Sequence, residues 1–293
     1  MWSNRGSALR KRGLFTDITV RIGDSAFQCH KIVLATASEY FEILLQKDGL
    51  DTGEVKLQEI HPKVFEIFLD FIYTKDKGPL LQINAASLLS LFKCANMWLA
   101  REVQQVCESI LAGRSMEPKE LIQLYALSFL LDNKSLKAHA LKLLRSGNNM
   151  DCPEVVELEI DCFVEYFFGT NGLEQWKRFN MLDKWLEKHI PQERRDQWKR
   201  CNMIDKCLQA PNPQERRLVV TLNRNVVQKP NPKAAATELD KITALLASID
   251  FMRMSLDDFY KGPAKSNLLS ESAKIEFMYK LAKSNNGIYN YGY

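Results

Sequence analysis

The strand-forming residues of this chain are crowded into its first sixty positions, and from Pro62 onward the apolar residues recur at helical spacing. In residues 15–22, FTDITVRI, the residues Phe15, Ile18, Val20 and Ile22 fall near a period of two. Gly23-Asp24 then turns the chain into Ala26-Phe27-Gln28-Cys29, so a β-hairpin is expected. Glu54-Val55-Lys56-Leu57 alternates like one more short strand. Between them, Val33, Leu34 and Ala37, then Tyr40, Phe41, Ile43, Leu44 and Leu45, repeat at three and four and predict two helices. Pro62 opens a helix whose Val64, Phe65, Phe68, Leu69 and Ile72 fill one broad face. Two more helices span 83–112, breaking near Trp98-Leu99 and ending at Gly113, and further helical runs cover 118–131 and 133–145. The pattern predicts an α+β domain of about 115 residues followed by an all-helical domain.

Composition agrees with two folded domains. The chain has 293 residues, 46% hydrophobic and 26% charged, with 13 Gly and 10 Pro, which leaves no room for a collagen-like or low-complexity class. Its seven cysteines include no CxxC pair, so neither a disulfide framework nor a zinc module is expected. The basic start MWSNRGSALRKR runs into LFTDITVRIGD rather than an apolar core, unlike a signal peptide, and no apolar run approaches the ~20 residues that span a bilayer. These features predict a soluble, reduced protein without membrane partners, cytoplasmic or nuclear.

The net charge of +4 is unevenly placed: residues 174–233 carry fourteen Lys and Arg against seven Asp and Glu, a net of +7, which leaves −3 for the rest. This block contains a tandem repeat of 22 residues. WKRFNMLDKWLEKHIPQERR (176–195) aligns with WKRCNMIDKCLQAPNPQERR (198–217) at thirteen identical positions of twenty. Each copy spaces Trp, Phe or Cys, Leu or Ile, and Trp or Cys three apart, the pattern of an amphipathic helix closed by a proline turn. Two readings follow. The aromatic stripe is core and the Lys and Arg face water, or Lys177, Arg178, Arg194, Arg195, Lys199, Arg200, Arg216 and Arg217 form a basic patch for an anionic partner. The first is the commoner outcome for such a pattern.

No catalytic constellation assembles: GxSxG, GxxxxGK[ST], HExxH and GxGxxG are all missing from the sequence. His30, His61, His139 and His189 have no second His at ligand spacing, so no metal or other cofactor is expected. Cys29 stands beside His30, but adjacent strand residues point to opposite faces, which argues against an activated thiolate. The sequence reads as a non-enzyme.

GLFTDITVRIGDSAFQCHKIVLATASEYFEILL resembles the opening of a BTB (POZ) domain through Asp17, His30, Lys31, Val33, Leu34, Ala35, Ser38, Tyr40 and Phe41, and EIHPKVFEIFLDFIYT (59–74) resembles the next signature of that family. Residues 116–168, and more weakly IDFMRMSLDDFYKGPAKSNLLSESAKIEF, are similar to the helical BACK domain that follows BTB in many adaptor proteins; no Kelch-like repeat is recognisable. The expected organisation is a basic segment 1–12, a BTB/POZ domain 13–112, a BACK-like domain 116–210 that includes the repeat, a linker 211–232 and a helical segment 233–293. The resemblance implies a homodimer with Leu14, Phe15, Asp17, Ile18, Lys31 and Leu34 at its interface. There Asp17 either pairs with Lys31 across a partly buried contact or caps local backbone. It implies, too, a contact with cullin-3 through Phe41, Leu50, Tyr73 and Tyr125, although Thr52 stands where relatives often carry Glu. The chain would then act as an adaptor bringing a protein substrate to a ubiquitin ligase. The alternative is a BTB scaffold without a ligase role, in transcriptional or cytoskeletal assembly, that uses the basic repeat to bind an acidic partner. Nucleic-acid binding ranks behind both.

Overall fold

A computed structural model of the chain describes residues 2–47, 53–200 and 232–286. These divide into two compact units, residues 1–143 and 144–293. The first is α+β, the second helical.

In the first unit, helix α1 (Trp2–Lys11) precedes strands β1 (Ile18–Ile22) and β2 (Ser25–Cys29), and β3 (Glu54–Leu57) completes a three-stranded sheet in the order β2-β1-β3. β1 and β2 pair antiparallel with Ile18 opposite Cys29 and Ile22 opposite Ser25, while β3 runs parallel to β1 with Val55 opposite Val20. Ile18, Val20 and Ile22 are buried, so one face of β1 is core and the other half-solvated. The crossover from β2 to β3 carries α2 (Lys31–Ala37) and α3 (Glu39–Lys47), and after the sheet come α4 (Pro62–Thr74), α5 (Gly78–Gln82), α6 (Ala85–Met97), α7 (Arg101–Gly113), α8 (Pro118–Leu130) and α9 (Lys134–Ser146).

Local chemistry sets the helix ends. Pro62 occupies the first turn of α4, where its missing N–H costs nothing, His61 accepts from the Lys63 N–H, and Lys75 closes the helix at φ 58°. Asn84 caps α6 by accepting from the Ser87 N–H at 2.8 Å. The helices meet over an aromatic core in which the Trp98 ring lies 4.8 Å from Phe68, 5.4 Å from Phe41 and 5.8 Å from Phe65. Ser38 ties the α2–α3 corner to this core, donating to the Trp98 carbonyl at 2.5 Å and accepting from the Phe41 N–H at 3.1 Å.

The expected basic segment 1–12 lies within the first compact unit. From Trp2 to Lys11 it is helical and packs on α4, where Arg10 is buried, pairs with Asp70 at 3.2 Å and lies over the Tyr73 ring at 5.5 Å.

The second unit holds a 3-10 turn at Pro153–Glu157, then α10 (Ile160–Phe168), α11 (Gln175–His189), α12 (Gln192–Arg200), α13 (Pro232–Ala247), α14 (Leu256–Lys261) and α15 (Glu271–Asn286). The first repeat copy supplies α11 and the start of α12, whose last three residues open the second copy. Phe179, Leu182 and Trp185 of α11 are buried, as the three-residue spacing predicts. Trp185 stacks on Phe163 at 4.7 Å and donates its indole N–H to the Leu158 carbonyl at 2.8 Å, while Phe179 meets Phe251 edge-on at 5.6 Å. Most of the second copy, residues 201–217, lies outside the described residues.

Candidate interaction surfaces

The turn between α1 and β1 presents apolar side chains to solvent. Gly13 adopts φ 64° and Phe15 φ 62°, a left-handed backbone that is strained for an aromatic residue. Two anchors flank it. The His30 imidazole bonds to the Leu14 carbonyl through Nε2 at 3.0 Å and to the Tyr73 hydroxyl through Nδ1 at 2.8 Å. Since a carbonyl only accepts, Nε2 carries the proton, Nδ1 accepts from the tyrosine O–H, and the tyrosine oxygen in turn accepts the His30 backbone N–H at 2.9 Å. On the other side, Asp17 Oδ1 accepts the Lys31 backbone N–H at 2.7 Å. This bond gives Asp17 a local backbone partner at the start of α2. Held this way, Phe15 is 83% exposed, with Leu14 at 37% and Ile32, next along from Lys31, at 70%. Asp17 is exposed and Lys31 half-buried on the same edge.

Two of the expected interface residues lie elsewhere. Ile18 points into the sheet core and Leu34 into the α2 packing face, both buried within the chain. The residues expected to contact cullin-3 are placed as follows. Phe41 and Tyr125 have no exposed surface and Tyr73 is buried against His30, because each lies on the apolar face of its own helix; Leu50 lies outside the described residues. The apolar side chains that do reach solvent near the α3–α6 corner are Ile43, Met97 and Leu99, the last held at φ 52°.

The basic patch also changes. Arg178 is 2% exposed. Its guanidinium donates to the Ser248 carbonyl at 2.9 Å, to Ser248 Oγ at 3.0 Å and, more weakly, to Thr170 and Gln175, with the Phe167 ring 4.6 Å away. It binds the carboxyl end of α13, where a helix favours a cation. Arg194 pairs with Glu238 at 2.9 Å, Arg195 with Glu187 at 3.9 Å and Lys177 with Glu174 at 3.1 Å, so much of the charge is answered locally. The side chains of Lys199, Arg200, Arg216 and Arg217 fall outside the described residues.

Four of the described thiols are poorly disposed to act as nucleophiles. Burial pushes Cys29 and Cys107 up to about 12 and Cys94 and Cys152 up to about 11, so these sulfurs are protonated at neutral pH. Among the described residues, no group of His, Cys, Asp and Glu is arranged to hold a metal, and no helix is long and apolar enough to cross a membrane.

The family model for the BTB/POZ domain matches residues 7–115. This chain carries a BTB/POZ domain. The match begins inside α1, which is consistent with that helix packing on the domain. Among curated proteins, the chain is similar to Kelch-like protein 40 of Mus musculus, 33% identical over 102 residues, covering 35% of this chain and 16% of that protein. It is also similar to Kelch-like protein 25 of Homo sapiens, 34% identical over 127 residues, covering 42% of this chain and 20% of that protein. Kelch-like protein 41a of Danio rerio is 24% identical over a longer stretch of 177 residues, covering 59% of this chain and 26% of that protein. The matched stretch thus spans between 16% and 26% of the length of these relatives. Among solved structures, the BTB domain of zebrafish PATZ1 is 32% identical, covers 38% of this chain and 87% of its own, and has a TM-score of 0.33. The helical second unit is consistent with a BACK domain.

On the BTB/POZ domain, the residues that sequence reasoning missed are Ile32, Ile43, Met97 and Leu99. Ile43 belonged to an apparent core stripe; Ile32 falls one position from Val33 on a helix whose buried residue is Leu34, and that register was its available signal.

Proposed function

We propose that this chain is a protein-interaction adaptor that self-associates through the Leu14–Phe15–Ile32 edge of its BTB/POZ domain and recruits a client protein to a cullin-3 ubiquitin ligase. The observation that supports it best is Phe15, an aromatic side chain 83% exposed and held at positive φ by anchors on both sides. A monomer has no use for a strained, solvated aromatic ring, whereas an interface does. Such an adaptor performs no bond chemistry. It acts by position, raising the effective concentration of client lysines near a ubiquitin-charged enzyme.

A second reading, a BTB scaffold with no ligase role, draws support from the burial of Phe41, Tyr73 and Tyr125 within the chain, since buried side chains offer a partner little surface. Two measurements separate the readings. Sedimentation of the purified chain should show a dimer that Phe15→Asp converts to monomer without loss of helical signal; a native chain that is monomeric at micromolar concentration refutes self-association. Cullin-3 should bind the purified chain, and Ile43→Asp or Met97→Asp should weaken it at least tenfold. A dimer that binds no cullin-3 leaves the scaffold.

A further inference from the structure

The connection from α10 to α11 turns at Thr170-Asn171-Gly172-Leu173, where the Leu173 N–H donates to the Thr170 carbonyl at 2.9 Å. Its ends are held and its middle is not. Thr170 is 1% exposed, and its hydroxyl donates to the Phe167 carbonyl at 2.6 Å and accepts from Arg178 Nε at 3.4 Å. Asn171 and Gly172 are exposed, and among the described residues neither the Asn171 side chain nor the Gly172 N–H has a hydrogen-bond partner. A Cβ added at Gly172 would meet nothing within 4 Å.

Asparagine is a thermolabile residue, and this turn exposes its weak point. The Gly172 nitrogen can attack the Asn171 side-chain carbon, Cγ, and close a five-membered ring. The N–Cγ bond forms, the Gly172 amide proton passes to water, and the Cγ–NH2 bond breaks to release ammonia. Water then opens the cyclic imide at one of its two carbonyls and leaves aspartate or isoaspartate at position 171. Water is the only co-reactant, and nothing is oxidised or reduced.

In a folded chain the attacking N–H must be uncommitted and its residue must not obstruct the approach; glycine has no side chain to do so. Neighbouring asparagines fail one condition or the other. The nitrogen that would attack Asn148 belongs to Asn149 and donates to the Leu144 carbonyl at 2.8 Å. The nitrogen that would attack Asn149 belongs to Met150, whose side chain is 3% exposed and packed in place. Asn180 lies inside α11, where the next N–H belongs to the helical ladder. The sequence has a second Asn-Gly pair at Asn286-Gly287, whose glycine lies outside the described residues.

We infer that Asn171 is a site of slow deamidation, whose product charges and loosens the turn beside Arg178. The new carboxylate adds one negative charge two residues after Gly169, whose carbonyl accepts from the Arg145 guanidinium at 3.0 Å. Isoaspartate also routes the main chain through Cβ, one carbon longer, so the bond from Leu173 to Thr170 no longer closes. Thr170 then loses its fixed place against Arg178, the side chain that holds Ser248 at the carboxyl end of α13. An isoaspartyl carboxylate is the group that carboxyl-methylating repair enzymes accept, so the partner class is a methyltransferase acting on the aged chain. None of this depends on self-association or on a cullin.

The test ages the full purified chain at mildly alkaline pH and follows the tryptic peptide 146–177 by mass spectrometry with fragmentation. Residue 171 should gain the mass of an amide-to-acid conversion and resolve into aspartyl and isoaspartyl forms. Its rate should exceed those of Asn148 and Asn149 in the same peptide at least about tenfold, a barrier lower by ~1.4 kcal/mol. Gly172→Ala, for which the turn has room at a φ that is not positive, should slow the conversion at least about tenfold with its helical signal unchanged. An isoaspartyl methyltransferase given a labelled methyl donor should mark residue 171 of the aged native chain and not of the aged variant. The aged native chain should also unfold at a lower temperature than the aged variant. Conversion at 171 no faster than at Asn148 or Asn149, an unchanged rate in Gly172→Ala, or no methyl label on residue 171 overturns the site. Equal unfolding temperatures after full conversion overturn its coupling to Arg178.

Discussion

Asp183, on α11 between two lysine-bearing turns, carries the chain's clearest linkage of stability to pH. Its carboxyl is half-buried, and burial pushes it from 3.8 up to about 6, against a hydrogen bond from Ser266 and the nearby charges of Arg195 and Lys274, with Glu187 adding to the rise. Between those two values the folded chain keeps a proton that the unfolded chain has already released. Stability from this group is therefore fully present below about pH 4, falls as pH rises through the window and is gone above about pH 6. Two pKa units at ~1.36 kcal/mol each set an upper figure of ~3 kcal/mol, which the residue's remaining exposure trims to roughly 1–3 kcal/mol. Asp183→Asn deletes the charge and keeps an oxygen that accepts from Ser266. The variant should be more stable than the native chain by ~1–3 kcal/mol at about pH 7.5 and should converge with it near pH 4. Urea unfolding followed by far-UV circular dichroism across this range measures both, with the slope m unchanged if only stability moves. A stability difference that stays constant with pH, or an Asn variant that is the weaker of the two at about pH 7.5, refutes the assignment.

Three further substitutions probe the frame around the sites. Tyr73→Phe removes the oxygen that accepts the His30 N–H and the proton that His30 Nδ1 receives, and should cost ~1–3 kcal/mol in thermal or urea unfolding. Arg178→Met leaves the Ser248 carbonyl and the Thr170 hydroxyl without their donor and should cost ~1.5–3 kcal/mol, a loss that Arg178→Lys recovers only in part because an ammonium lacks the planar fork. Gly262→Ala would set a Cβ 2.6 Å from Asn180 Oδ1 and 3.3 Å from the Trp176 carbonyl, and should cost ~1–3 kcal/mol while shifting the Trp176 indole resonance.

What could be read from the sequence follows the local periods. Ile18, Val20 and Ile22 gave the buried face of β1, and the break at Trp98-Leu99 fell where α6 ends. Phe15 did not belong to that alternation: it is odd-numbered among even-numbered partners, and the structure places it in the turn before the strand. The helix at Trp2–Lys11 was illegible because its polar, glycine-containing sequence has almost no intrinsic preference for helix, and docking on α4 supplies what propensity lacks. On charge alone Arg178 reads as a surface residue. Its spacing to Leu182 and Trp185, four and seven residues on, places it on the core face, and a position-by-position helical wheel would have flagged it. Phe41, Tyr73 and Tyr125 are buried, as their helical periodicity alone indicates; the role given to them came from the resemblance and not from their spacing.

The clamped turn at Phe15 also fixes how an association through this edge would behave in time. With Leu14 held by the His30 ring and Asp17 by the α2 amide, little backbone freedom remains for the ring to lose on docking. Binding by a pre-shaped edge proceeds close to rigid-body encounter. Substitutions at Phe15 would then leave the rate of encounter nearly constant and register almost wholly in how long the complex lasts. Loosening the clamp at Asp17 or Tyr73 would instead slow encounter, because the ring must first find its place.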